Sequence, residues 1–221
     1  MERFIPILFI IVSLTLTLTG CTAKKDAPLH GQEQIEALRE EAKTWSSGRY
    51  LFTDLKTGGT DRVFSFMYEP DGSQTSLYEQ VTDGIYHAEY YSRGTLCVYD
   101  GENVSVYNTS SEGYESYNKD NPHPYSTGDL FFYIAPCVMS SAESTDGKGN
   151  ITYLYNYNTD RINQTMDTSY TKFVTAYTFD SEGNFLYFTL DNSGDEDART
   201  YMIEMIGINS LTEIENPMMA E

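Results

Sequence analysis

Apolar residues recur with three different periods along this chain, and each period predicts a different element. Phe4 to Leu18 is apolar apart from Pro6 and interleaved Ser and Thr. This run is shorter than the ~20 apolar residues that a membrane-spanning helix needs, and it fits the core of an export signal. Polar Lys24, Lys25 and Asp26 follow at once. Over 32–46 the spacing changes: Ile35, Leu38, Ala42 and Trp45 fall on one face of a helix, with Glu33, Glu36, Arg39, Glu40 and Lys43 elsewhere around it. Ser47-Gly48 marks its stop.

From Arg49 onward the period is two. Phe64, Phe66 and Tyr68 alternate with Ser65 and Met67; Tyr86, Ala88 and Tyr90 do the same, as do Ile151, Tyr153, Tyr155 and Tyr157, and Phe173, Thr175, Tyr177 and Phe179. Turn signals separate these runs, among them Glu69-Pro70-Asp71-Gly72, Asp83-Gly84, Asp100-Gly101-Glu102-Asn103 and Asp180-Ser181-Glu182-Gly183-Asn184. Further strands are expected at Leu96–Val98, Val104–Val106, Phe185–Leu190, Tyr201–Ile208 and Leu211–Ile214. About nine to eleven strands in hairpin order result, joined by connections too short for parallel crossovers. The fold class is therefore α+β, mainly β: an N-terminal amphipathic helix packed on a large, curved antiparallel sheet. Residues 109–148 break the pattern, with Asn121-Pro122-His123-Pro124 and an apolar run from Leu130 to Met139. They read as an excursion with helical turns near 129–134.

The apolar leader ends in Leu18-Thr19-Gly20-Cys21. This resembles the lipobox of bacterial lipoproteins, in which small residues precede a cysteine whose sulfur takes a diacylglyceryl group before cleavage. The resemblance implies a signal peptide at 1–20 and lipidation at Cys21; the residue pattern beyond it reads as a tether over 21–31, a single β-rich domain over 32–217 with the excursion at 109–148, and a tail at 218–221. The resemblance also implies a domain held on the extracytoplasmic face of a cell membrane. Two or more acyl chains anchor far longer than one.

Composition narrows the partners. Removing 20 of the 221 residues leaves 201, enough for one domain with a real core. The net charge is −19, so a nucleic-acid partner, which needs a basic face, is excluded. Such a charge serves solubility, or attracts cations or a basic protein. With 19 Tyr and 11 Phe against one Trp, the chain has aromatic material for sheets. Beyond Cys21 stand Cys97 and Cys137, an even pair in an export compartment that suits either a disulfide or two buried thiols.

No catalytic constellation is present. There is no Gly-x-Ser-x-Gly, no phosphate-cradling glycine loop and no His-Glu-x-x-His helix. His30, His87 and His123 read as surface or structural histidines. Asp191, Asp195, Glu196 and Asp197 crowd one hairpin, but their spacing does not match a calcium loop, and a solvated turn is the simpler reading. No metal site and no cofactor are expected.

A lipobox, one amphipathic helix and about ten meandering strands together resemble the half-barrel lipoproteins, which include the Lol-type carriers and lipoprotein relatives in mycobacteria and Firmicutes. Asp180-Ser181-Glu182-Gly183-Asn184 before an apolar strand, and Leu211-Thr212-Glu213-Ile214 before Pro217, carry the resemblance in detail. It implies a non-enzymatic protein binding a lipid or other hydrophobic ligand on a concave apolar face, partly plugged by the helix. The lining would come from Trp45, Phe64, Phe66, Tyr86, Phe173, Tyr177, Phe185 and Tyr187. The same alternation also suits a dry core, and a one-residue slip exchanges the faces. The rival reading is an interaction, sensor or accessory subunit of a cell-envelope complex, suited by a tyrosine-rich acidic surface.

Overall fold

A computed structural model describes residues 29–115, 133–166, 168–193 and 200–219. The leader, Cys21, His123, the rest of residues 116–132 of the 109–148 excursion and the carboxylates Asp195, Glu196 and Asp197 lie outside the described residues. In chain order the elements are α1 (Gln32–Ala42), β1 (Ser47–Asp54), β2 (Thr60–Tyr68), β3 (Gln74–Thr82), β4 (Ile85–Ser92), β5 (Thr95–Tyr99) and β6 (Val104–Asn108). A 3-10 turn (Ala135–Cys137), β7 (Val138–Thr145), β8 (Ile151–Tyr157), α2 (Thr159–Met166), β9 (Lys172–Phe179), β10 (Phe185–Ser193) and β11 (Thr200–Ile206) follow. The class is the expected one, α+β and mainly β. The hydrogen-bonded strand order is β6-β5-β4-β3-β2-β1-β11-β10-β9-β8-β7. Each pairing whose register is described is antiparallel.

The described residues fall into two compact units. One holds those of Met1–Lys43 and Ser126–Thr200, the other those of Thr44–Tyr125 and Tyr201–Glu221. In the first unit α1 buries Ile35, Leu38 and Ala42, as its 3.6-residue stripe predicts. The helix ends at Ala42 rather than running to 46, and Trp45 is buried outside it. Ser47 and Gly48 do not stop the helix; they open β1, pairing with Met67 and Phe66. A Cβ on Gly48 would stand 2.6 Å from Ile208 and 3.1 Å from the Phe66 ring, so close packing accounts for the glycine there.

Three further departures have local causes. β7 occupies Val138–Thr145 within the expected excursion; its Ser, Glu and Thr side chains are largely exposed, leaving no apolar alternation to read. The helical turns expected near 129–134 fall largely on residues 129–132, outside the described residues, and a 3-10 turn follows at Ala135–Cys137. α2 is unforeseen because Ile162 is the one buried apolar anchor among its described side chains; Asn158 caps it by accepting the Arg161 N–H at 3.0 Å. Residues 211–214 form no strand. Leu211 donates its N–H to Ser47 Oγ at 3.1 Å, and Ile214 is buried against Leu77 and Ala88 of the same unit.

The turns form as predicted. Asp180 closes the β9–β10 hairpin through its own backbone to Asn184, while its carboxylate accepts the N–H groups of Glu182 and Asn184. Gly183 sits there at φ 88°, where a side chain would be strained.

Candidate functional site

In the first unit, register decides which aromatics share a face. Tyr153 pairs with Tyr177 and Tyr155 with Thr175 across β8 and β9, and Tyr177 pairs in turn with Phe188 of β10. Tyr153, Tyr155, Tyr157, Phe173, Tyr177, Phe179 and Phe188 therefore form one aromatic floor, and all seven are buried. Tyr177 stacks on Phe188 at 5.6 Å and 16°, Tyr155 meets Tyr177 edge-on at 6.0 Å, and Tyr157 meets Phe173 edge-on at 5.4 Å. Offset and edge contacts of this kind add about 0.5–1.5 kcal/mol per pair beyond burial.

α1 is fixed to this floor at its N-terminus. Tyr155 donates its hydroxyl to the His30 carbonyl. Gly31, at φ 65°, lies so close to Tyr153 that a Cβ would stand 2.3 Å from its ring. The His30 N–H donates to Ser141 Oγ of β7 at 3.0 Å, and Arg39 Nη1 donates to the Tyr133 carbonyl at 3.3 Å. The buried phenols are held neutral. Loss of solvent raises Tyr155, Tyr157 and Tyr177 above the usual phenol value, and burial together with the Glu36 charge pushes Tyr133 up to about 12. Tyr157 shares a hydrogen bond with Thr175 at 3.2 Å.

The second unit has an aromatic group of its own. Tyr50 of β1 pairs with Phe64 of β2, and Tyr50, Phe64 and Phe66 are all buried with ring centroids 5.8–6.2 Å apart. Arg62, on the same face of β2, donates Nη2 to the Tyr201 hydroxyl at 2.8 Å and stacks 4.9 Å above that ring.

The sequence-predicted lining is thus sorted. Phe173, Tyr177 and Phe185 share the floor of the first unit; Phe185 is half-buried against Phe179 at 5.7 Å. Tyr187 pairs with Thr178 and faces the other way. Phe64 and Phe66 join Tyr50, whereas Tyr86 lies on the opposite face of that unit's strands, half-buried against the Leu77–Ala88–Ile214 cluster, its hydroxyl donated to Glu79 at 2.8 Å. Trp45 is buried. The lining expected from sequence lacks Tyr50, Tyr153, Tyr155, Tyr157, Phe179 and Phe188, although the Tyr153-Tyr155-Tyr157 alternation carries the signal for three of them.

Cys97 and Cys137 are both free, buried thiols, the second of the two arrangements that an even pair suits. Each has its own surroundings: Cys97 accepts the Asn216 side-chain amide at 3.6 Å, and burial raises the Cys137 thiol. The two described histidines lie beside carboxylates. His87 Nε2 is 2.9 Å from Glu89, and His30 Nδ1 is 3.7 Å from Glu143. Asp191 pairs with Lys172. Among the described residues no cluster of three or more His, Cys, Asp or Glu could hold a metal, and no helix is long and apolar enough to cross a membrane.

No family model matches the chain, and no curated protein matches it. Solved structures do. LprF from Mycobacterium bovis superposes with a TM-score of 0.51 at 12% identity, covering 85% of this chain and 96% of LprF. The Mycobacterium tuberculosis lipoprotein LppX superposes at 0.48 and 9% identity, over 83% of this chain and 98% of LppX. The chain shares its fold with LprF.

Proposed function

We propose that this protein is a membrane-tethered, extracytoplasmic lipoprotein that binds a lipid or another hydrophobic ligand and catalyses no reaction. One observation carries the reading: the aromatic floor of β8, β9 and β10, seven rings on one face with the N-terminal end of α1 tied to Tyr155. A face of this size gives apolar contact area without titratable groups poised for chemistry, which is the composition of a ligand site rather than a catalytic one. The fold shared with LprF and the lipobox-like Leu18-Thr19-Gly20-Cys21 are consistent with it. Tyr155 and Tyr177 are fully buried, so a ligand reaching them displaces what covers them, and the N-terminal end of α1 is tied to Tyr155.

The test is native mass spectrometry of the protein purified from a bacterial host, with solvent extraction of co-purifying material. A stoichiometric lipid or acylated molecule is expected. A clean apo mass that stays unchanged after incubation with membrane lipid extract would refute ligand binding. The anchor is tested separately: Cys21→Ala abolishes labelling by a palmitate analogue, and persistent labelling would remove the lipidation.

A further inference from the structure

β6 stands at one end of the strand order, and among the described residues no strand pairs with its far edge. An open edge offers a row of backbone N–H and C=O groups that a second extended chain can complete; proteins usually guard it with Lys, Pro, a bulge or an inward charge. β7, at the other end of the order, is guarded in this way: its register shifts between Val138 and Ser140, and Glu143 lies in its exposed stretch. β6 is Val104-Ser105-Val106-Tyr107-Asn108, with no charge and no proline, in unbroken register with β5.

The strands leading to this edge carry apolar rows. Register aligns Leu77, Tyr90, Cys97 and Val106 in one row across β3 to β6, and Glu79, Ala88, Tyr99 and Val104 in the next. The segment after β11 covers their inner part: Ile214 is buried on Leu77 and Ala88, Met218 packs beside them, and Asn216 reaches Cys97. Val104 and Val106 remain 51% and 65% exposed.

Beside Val104, the β5–β6 turn and the start of β4 enclose a depression of about 340 Å³ lined by Ile85, Asp100, Gly101 and Glu102. The Asp100 carboxylate accepts the N–H groups of Asn103 at 2.8 Å and Glu102 at 3.0 Å, which keeps it ionised. From residue 81 to 115 the acidic residues are Asp83, Glu89, Asp100, Glu102, Glu112 and Glu115, against Arg93 alone.

We propose that β6 is a docking edge for an extended segment of a basic partner protein. The segment adds as a further strand, lays alternate apolar side chains beside Val104 and Val106, and places a Lys or Arg over Ile85 against Asp100 and Glu102. Main-chain hydrogen bonds hold such a strand, and the side chains at alternate positions select it. Charge argues for a basic partner over a second copy, since a second copy brings another −19 to an edge that is already acidic.

The test uses the full-length protein and a labelled synthetic peptide that alternates valine with serine and lysine, followed by fluorescence anisotropy and amide hydrogen exchange. Binding is expected to weaken at high salt, to slow exchange in β6, and to fall at least tenfold with Val106→Lys and with Glu102→Lys. Met139→Lys, on the exposed face of β7, leaves it unchanged. No binding, binding indifferent to Val106→Lys and Glu102→Lys, or slowed exchange at β7 instead of β6 would each overturn the proposal. So would a dimer that Val106→Lys dissociates, which would make a second copy the occupant.

Discussion

Gly31→Ala tests how α1 is seated on the aromatic floor. Two costs are legible at this position. Gly31 sits at φ 65°, and an L side chain in the left-handed region costs about 1 kcal/mol. The new Cβ would also stand 2.3, 2.3 and 2.6 Å from three atoms of the Tyr153 ring. That ring is buried and packed on Phe179 at 5.9 Å, so it yields only by disturbing its neighbours, and overpacking of this kind costs about 1–3 kcal/mol. The sum is about 2–4 kcal/mol, a large part of the ~5–15 kcal/mol that holds a typical domain folded. Gly183→Ala separates the two terms: Gly183 is at φ 88° with nothing within 4 Å of a Cβ, so it bears only the conformational cost. Urea unfolding followed by circular dichroism and by emission of Trp45, the only tryptophan, measures both variants. Adding Tyr153→Ala to Gly31→Ala removes the overlap, so the double variant loses less than the two single losses added together. If Gly31→Ala costs no more than Gly183→Ala, the close seating of α1 on Tyr153 is wrong.

Other consequences follow from the same packing. Tyr177→Ala, fully buried between Tyr155 and Phe188, is expected to destabilise the protein by about 3–5 kcal/mol in the same unfolding assay. Tyr155→Phe removes the hydroxyl donated to the His30 carbonyl and costs about 1 kcal/mol, and the backbone amides at the start of α1 then exchange faster with solvent. The buried tyrosines have folded-state pKa values above the unfolded value of about 10, so the unfolded chain loses protons first as pH rises. Stability is therefore full below pH ~10 and declines above it, with the Tyr133 contribution gone beyond about 12; a tyrosinate absorbance titration that shows every phenol ionising near 10 in the folded protein would refute this. Thiol counting on the unfolded protein without reductant should find both Cys97 and Cys137 reactive, and a loss of both would restore the disulfide.

Much of this architecture is written in local pattern. The stripe Ile35, Leu38 and Ala42 names the buried side of α1 because a helix returns to one face every three or four residues. Period-two runs and Asp-Gly or Pro-Asp-Gly turns give hairpins, and hairpins in series give antiparallel strands. The class follows from residue types and spacings alone. What a strand pattern lacks is a sign: alternation defines two faces but not which is covered. Only register could place Phe173 and Tyr177 with Phe188 and turn Tyr187 away, or set Tyr86 on the opposite side from Phe64 and Phe66. Elements with little apolar content of their own escaped the pattern for the same reason. β7 is exposed along most of its length, and α2 rests on Ile162. The final segment holds its place through Ser47, Leu77 and Cys97, residues more than a hundred positions earlier in the chain. Local sequence sets the period of an element, because period is backbone geometry; which face is buried depends on neighbours that only the folded chain brings together.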